Sequence, residues 1–132
     1  MLLVDTNVLV DVLQNDPQWA DWSIAQMRAQ ARLHALVINP VIYAEISLSF
    51  STIEALDEVV LTLGLELREV PRAALFLAAK AYAQYRRRAG SKEQVLPDFF
   101  IGAHATVEGW PLLTRDASRF RTYFPTLQVL AP

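Results

Sequence analysis

The chain has 132 residues, 53% of them hydrophobic, enough for the core of one domain spanning residues 1–132; 12 basic and 14 acidic residues leave a formal net charge of −2. The absence of cysteine excludes a disulfide framework, a thiol nucleophile and a thiolate zinc site, and the two histidines, His34 and His104, are too few for a histidine-built metal centre. The amino terminus has no basic segment, Asp5 and Asp11 interrupt its apolar stretch, and no apolar run approaches the roughly 20 residues that span a bilayer, so a cytoplasmic protein without a membrane partner is expected.

The predicted elements alternate. LLVD, Leu2 to Asp5, reads as a buried strand, and Val8 to Leu13 as a short helix ending at the turn signal Asn15, Asp16, Pro17. Asp16 and Pro17 form a cap-and-proline start for a helix to about Arg32. ALVI, Ala35 to Ile38, is a second buried strand, after which Asn39 and Pro40 open a helix through Phe50. Ser51 or Thr52 caps the next helix, with Glu54 in its first turn and Gly64 near its end. LELREV, Leu65 to Val70, alternates apolar with charged residues, the pattern of an edge strand with one wet face.

After Pro71 a long helix carries AALFLAAKAYAQYRRR and stops near Gly90; Pro97 opens another over DFFIGAHATVEG, closed by Gly109. PLLT, Pro111 to Thr114, and LQVL, Leu127 to Leu130, are the fourth and fifth strands. Short, continuously apolar strands separated by helices specify a mainly parallel five-stranded sheet covered on both faces, a three-layer α/β/α sandwich.

In such a sheet, sites form where strand carboxyl ends lead into helices. Asp5 stands at one such end and Asp116, within LLTRD, at another. Glu45 lies in the mostly apolar VIYAEISLSF, and Asp98 begins the apolar PDFFIGAHA. Taken singly, Asp98 reads as a helix cap, Asp116 as a turn or cap residue, and Glu45 as a partly exposed polar position or a buried partner for an arginine. Gathered in one cleft, four carboxylates repel and need a cation, and an all-oxygen donor set selects a hard ion, Mg²⁺ or Mn²⁺. The chemistry this implies is metal-assisted attack of water on a phosphodiester. Asp11, the other acid of the first segment, is assigned to the solvent side of its helix.

Charge is also polarised along the chain: residues 1–79 hold ten acids and four bases, residues 80–132 eight bases and four acids. Lys80, Arg86, Arg87, Arg88, Lys92, Arg115, Arg119 and Arg121 form a phosphate-facing surface if the fold gathers them, and a solvated helix face otherwise.

DTN at Asp5 to Asn7, the mid-helix Glu45, PDFFIGAHA from Asp98 and TRD ending at Asp116 resemble, in order and approximate spacing, the PIN-domain ribonucleases. Among them the chain resembles the VapC-type toxins of bacterial toxin–antitoxin pairs, and the resemblance covers essentially its whole length. It implies that Asp5 and Asp98 are the best metal ligands, that Glu45 and Asp116 complete the acidic site, and that the hydroxyls of Thr6 and Thr114 hydrogen-bond site carboxylates or water. Asn7 would hold the loop. It also implies an RNA substrate, a cognate antitoxin and a homodimer. Helical spacing assigns Trp19, Trp22, Met27, Tyr82 and Tyr85 to packing, and Trp19 and Trp22 are in addition candidates for such interfaces. His104 follows Asp98 by six residues, off its helical face, and is expected to be structural, as is His34. Three rival readings remain: a solitary RNA-processing nuclease, a non-catalytic binding module, and a haloacid-dehalogenase-like phosphatase, which would want an acid where Asn7 stands.

Overall fold

Leu2, Leu3 and Val4 are all fully buried, and because successive strand residues point to opposite faces, the strand they form is covered on both sides. The computed structural model, which describes residues 1–88 and 95–132, makes this strand, β1 (Leu2–Val4), the centre of a five-stranded sheet. Its neighbours are β2 (Leu36–Ile38) and β4 (Leu112–Leu113), with β3 (Glu66–Leu67) and β5 (Val129–Leu130) at the edges, in the order β3-β2-β1-β4-β5. Every pairing is parallel, with Leu3 opposite Val37 on one side and Leu112 on the other. The chain winds from β1 toward one edge and returns to build the other from β4, so the topological switch point lies between β1 and β4.

Among the described residues seven helices fill the crossovers: α1 (Thr6–Leu13), α2 (Ala20–Ala31), α3 (Pro40–Ile46), α4 (Ile53–Thr62), α5 (Arg72–Arg88), α6 (Leu96–Glu108) and α7 (Ser118–Tyr123). Helix α1 packs on α2 and α3, α3 meets α6, and α6 lies along α5 and touches α7. The core runs from the sheet into Val8, Ile42, Ile46, Ala78, Phe99, Ile101 and Phe120. No helix among the described residues is long and apolar enough to cross a membrane.

Local signals explain most boundaries. Asn39 Oδ1 accepts from Ile42 N at 2.9 Å and Pro40 takes the first turn, while Thr52 Oγ1 accepts from Ala55 N at 3.2 Å. Gly109, at φ +71°, ends α6 in the left-handed conformation that glycine adopts without penalty.

Other boundaries shift from expectation. Helix α1 begins two residues early, at Thr6, because Asp5 itself caps it. Asp16 Oδ1 caps a turn, accepting from Gln18 N and Trp19 N, and regular helix starts only at Ala20. Helix α3 gives way at Ser47 to a single 3-10 turn, where the Ser47 hydroxyl donates to Tyr43 O at 2.6 Å, a bond that competes with helix continuation. The predicted edge strand over Leu65 to Val70 pairs only at Glu66–Leu67, both exposed, as an edge with one neighbour allows. Helix α7 was not anticipated; six residues with Phe120 as its one buried member are too short to display a period. The predicted helix stop at Gly90 and the basic residue Lys92 lie outside the described residues.

Candidate active site

Asp5 ends β1 at the switch point, in extended conformation, and only 4% of it is exposed. Its Oδ1 accepts from Thr6 N at 2.7 Å, and its Oδ2 accepts from the Thr114 hydroxyl at 2.7 Å. Thr114 stands just after β4, the strand beside β1, and Asp5 N donates to Leu113 O at 2.9 Å. Strand pairing therefore delivers the Thr114 hydroxyl to the Asp5 carboxylate. The same hydroxyl oxygen accepts from Asp116 N at 3.2 Å and Asn7 Nδ2 at 3.4 Å, and Asn7 Oδ1 accepts from Arg115 N at 3.1 Å. DTN and TRD are thus one hydrogen-bonded unit across the switch point.

Glu45 comes from α3, where Thr6 Oγ1 donates to its Oε1 at 2.6 Å. Asp98 stands in the first turn of α6; Val95 holds the cap position without a side-chain bond, so Asp98 is not the cap of that helix. Its Oδ2 accepts from Arg119 Nη1 at 2.6 Å. Asp116 is exposed, and its Oδ1 accepts from Ser118 N and Ser118 Oγ at 3.4 and 3.3 Å.

The charge of Asp98 acts on Asp5 and Glu45, that of Glu45 on Asp5, and that of Asp116 on Asp98. Burial drives Asp5 up from its ordinary value of 3.8 to about 7; the Thr114 hydroxyl opposes this, the charge of Asp98 adds to it, the Thr6 N–H opposes it, and Glu45 adds a smaller push. Burial also raises Glu45, against the Thr6 hydroxyl bond and with the charge of Asp98. Asp98 is raised by burial, held back by the bond and charge of Arg119, and pushed up by Asp116. Among the described residues no three acids converge tightly enough to cage one ion by themselves. Mg²⁺ is held by one or two carboxylates together with water and substrate oxygens, so this all-oxygen donor set fits it, with Mn²⁺ as a substitute.

Asp11 corrects the reading that put it in solvent. It is 2% exposed, accepts from Ser23 Oγ at 3.0 Å and lies 3.0 Å from Arg115 Nε, while the Arg115 guanidinium sits 5.5 Å from the Trp19 ring centre. A carboxylate this deeply buried needs that partner. Arg115 and Arg119 are therefore paired with acids and do not join a free basic face. Arg86 to Arg88 are exposed at the end of α5, and Arg88 lies 5.9 Å from the Tyr123 ring. His104 is structural, as expected: it is fully buried, its Nδ1 lies 3.2 Å from Asn39 Nδ2, and burial lowers its pKa. Asn39 thus ties α3, which carries Glu45, to α6, which carries Asp98. Met27 and Tyr85 pack as anticipated, and Trp19 and Trp22 meet edge to face at 6.2 Å.

Arg119, Ser118 and the Asp11–Arg115 pair were missed as members or supports of the site. The only sequence signal was the density of polar residues in TRDASR.

A parallel α/β sheet with linked carboxylates at its switch point defines a class of protein that gathers acids at strand carboxyl ends. Residues 2–124 match the model of the PIN domain, and the chain belongs to that family. No curated protein matches it. Among solved structures it is similar to VapBC2 from Rickettsia felis bound to a DNA fragment from their promoter, with 16% identity, TM-score 0.75 and coverage of 99% of this chain and 98% of the other. DNA-bound VapBC from Salmonella typhimurium follows at 19% identity, TM-score 0.70 and coverage of 99% and 98%. A toxin–antitoxin complex from Klebsiella pneumoniae has 19% identity, TM-score 0.61 and coverage of 98% and 96%. At these identities the likeness is one of fold.

Proposed function

We propose that the protein is a Mg²⁺-dependent endoribonuclease that serves in the cytoplasm as the toxin of a toxin–antitoxin pair, its partners being RNA, a cognate antitoxin and a second copy of itself. The observation that supports this most is Asp5, buried at the end of β1 beside β4 and pushed to about 7 by burial together with the charges of Asp98 and Glu45, while Asp116 acts in turn on Asp98. A divalent cation compensates such a group, and PIN-domain membership together with structural neighbours that are toxin–antitoxin complexes favours phosphodiester hydrolysis under antitoxin control.

Asp5 and Asp98 would hold the ion, with Glu45 and Asp116 completing the set. When bound, Mg²⁺ or Mn²⁺ supplies a water of lowered pKa and neutralises charge on the phosphate. The chain's own contribution is orientation. The Thr114 hydroxyl fixes Asp5, the Thr6 hydroxyl fixes Glu45, and Asn7 pins the Thr114–Asp116 loop, so no carboxylate has to reorganise as charge develops. Asp116, the exposed acid, orients the attacking water. No nucleophilic side chain is required.

Incubating a labelled RNA pool with the protein in Mg²⁺ and in EDTA tests this reading. Internal cleavage in Mg²⁺ that EDTA abolishes is expected. Intact RNA in Mg²⁺, or release of phosphate from a monoester in its place, would show the nuclease reading to be wrong and favour the binding module or the phosphatase.

A further inference from the structure

Asp98, one of the two acids assigned to the ion, has its Oδ2 engaged by Arg119 Nη1 at 2.6 Å, the short length of a charge-assisted bond. Three features distinguish this from an ordinary surface pair. Arg119 stands at the start of α7, just past the loop bearing Asp116, so its cation enters a group of acids and not a single ion pair. Its guanidinium lies 5.7 Å from the ring centre of Tyr85, which packs against Tyr82, Phe99 and Tyr123 and is therefore held in place. Both partners keep about a third of their side chains exposed, 30% and 33%, so solutes reach the pair. Among the described residues the guanidinium makes no other hydrogen bond to protein, which leaves most of a planar fork suited to phosphate oxygens uncommitted.

We propose that Arg119 is an exchangeable counter-cation of the acidic site: it occupies Asp98 Oδ2 in competition with a divalent ion and, once displaced, binds a phosphate of the RNA strand. The proposal rests on the nuclease reading above. Exchanging one cation for another keeps the acids compensated in both states. The displaced guanidinium remains over Tyr85, whose ring centre lies 5.8 Å from that of Tyr123, and Arg88 stands over the Tyr123 ring at 5.9 Å, so a second arginine borders the same path.

The test is Mn²⁺ binding, followed by the paramagnetic signal of the free ion, to wild type, Arg119→Gln and Arg119→Lys, each checked for folding by thermal unfolding. Arg119→Gln should bind Mn²⁺ roughly three- to tenfold more tightly, because a partly exposed competing charge is gone, while its KM for RNA rises and kcat changes less. Arg119→Lys keeps the charge and should restore wild-type Mn²⁺ affinity. An arginine that merely braced α7 would give unchanged or weaker Mn²⁺ binding with a lowered melting temperature, and either binding result overturns the exchange, as does an unchanged KM. Wild-type protein that neither binds Mn²⁺ nor cleaves RNA refutes the nuclease reading and this proposal with it. Wild-type protein that does both, beside an unaltered Arg119→Gln, refutes the exchange alone.

Discussion

Asp5→Asn should abolish metal-dependent RNA cleavage and, at the same time, make the metal-free protein more stable at pH 8. The carboxylate of Asp5 has a native pKa of about 7 against 3.8 for an unperturbed aspartate. Between these values the native state binds more protons than the unfolded chain, so the contribution of Asp5 to stability is fully present below about pH 4 and is lost as pH rises through 7. A carboxylate raised this far costs at most about 4 kcal/mol of stability at pH 8. Asparagine carries no charge, caps a helix as well as aspartate does, and still accepts from Thr6 N or the Thr114 hydroxyl. Subtracting about 1 to 2 kcal/mol for weaker, uncharged bonds leaves a net gain of roughly 1 to 3 kcal/mol. Melting temperature should therefore rise by about 3 to 10 °C at pH 8 and change little at pH 4. Cleavage should fall by about a thousandfold or more, some 4 kcal/mol of transition-state stabilisation. Excess Mg²⁺ should narrow the stability difference by binding the wild-type native state. A variant less stable than wild type at pH 8 without metal would mean that Asp5 is a structural acid.

The second large effect belongs to Gly102, inside α6. A Cβ there would lie 2.5 and 2.6 Å from two carbons of the Phe124 ring and 3.0 Å from Phe120, and both rings are almost fully buried. Helix propensity alone favours alanine over glycine by about 1 kcal/mol. Overpacking a buried aromatic contact costs about 1 to 3 kcal/mol or more, and a separation of 2.5 Å is one a real Cβ cannot keep unless the ring shifts. The clash wins, and Gly102→Ala should lower stability by about 1 to 2 kcal/mol, or roughly 4 to 8 °C in melting temperature. Because Phe120 belongs to α7, the strain falls on the helix that carries Arg119, so activity should drop as well. An unchanged or raised melting temperature would contradict the close approach of α6 and α7.

Much of the fold was readable because its signals are local. The runs LLV, LVI and LL are apolar at every position, as only strands buried on both faces can be, and the caps at Asn39, Thr52 and Gly109 act within a few residues of themselves. Strand lengths were overestimated because pairing depends on the neighbour: Leu65 and Val70 have the right pattern but the sheet pairs only Glu66 and Leu67. Asp5 and Asp116 were readable as strand-end charges, Asp98 as a helix-start charge and Glu45 as a charge within an apolar helix. Their partners were not. Nothing near Asp11 announces Arg115, which reaches it from the loop after β4, and Arg119 meets Asp98 only because an unanticipated short helix turns it back toward α6. Local pattern specifies where a charge sits, whereas tertiary packing specifies what neutralises it.

RNA cleavage by Asp98→Asn in excess Mg²⁺ tests most directly whether these acids work as one metal-dependent centre. A folded variant whose rate has fallen by about a thousandfold or more, beside a wild type that EDTA silences, is the expected result. Wild-type rates from Asp98→Asn would contradict it.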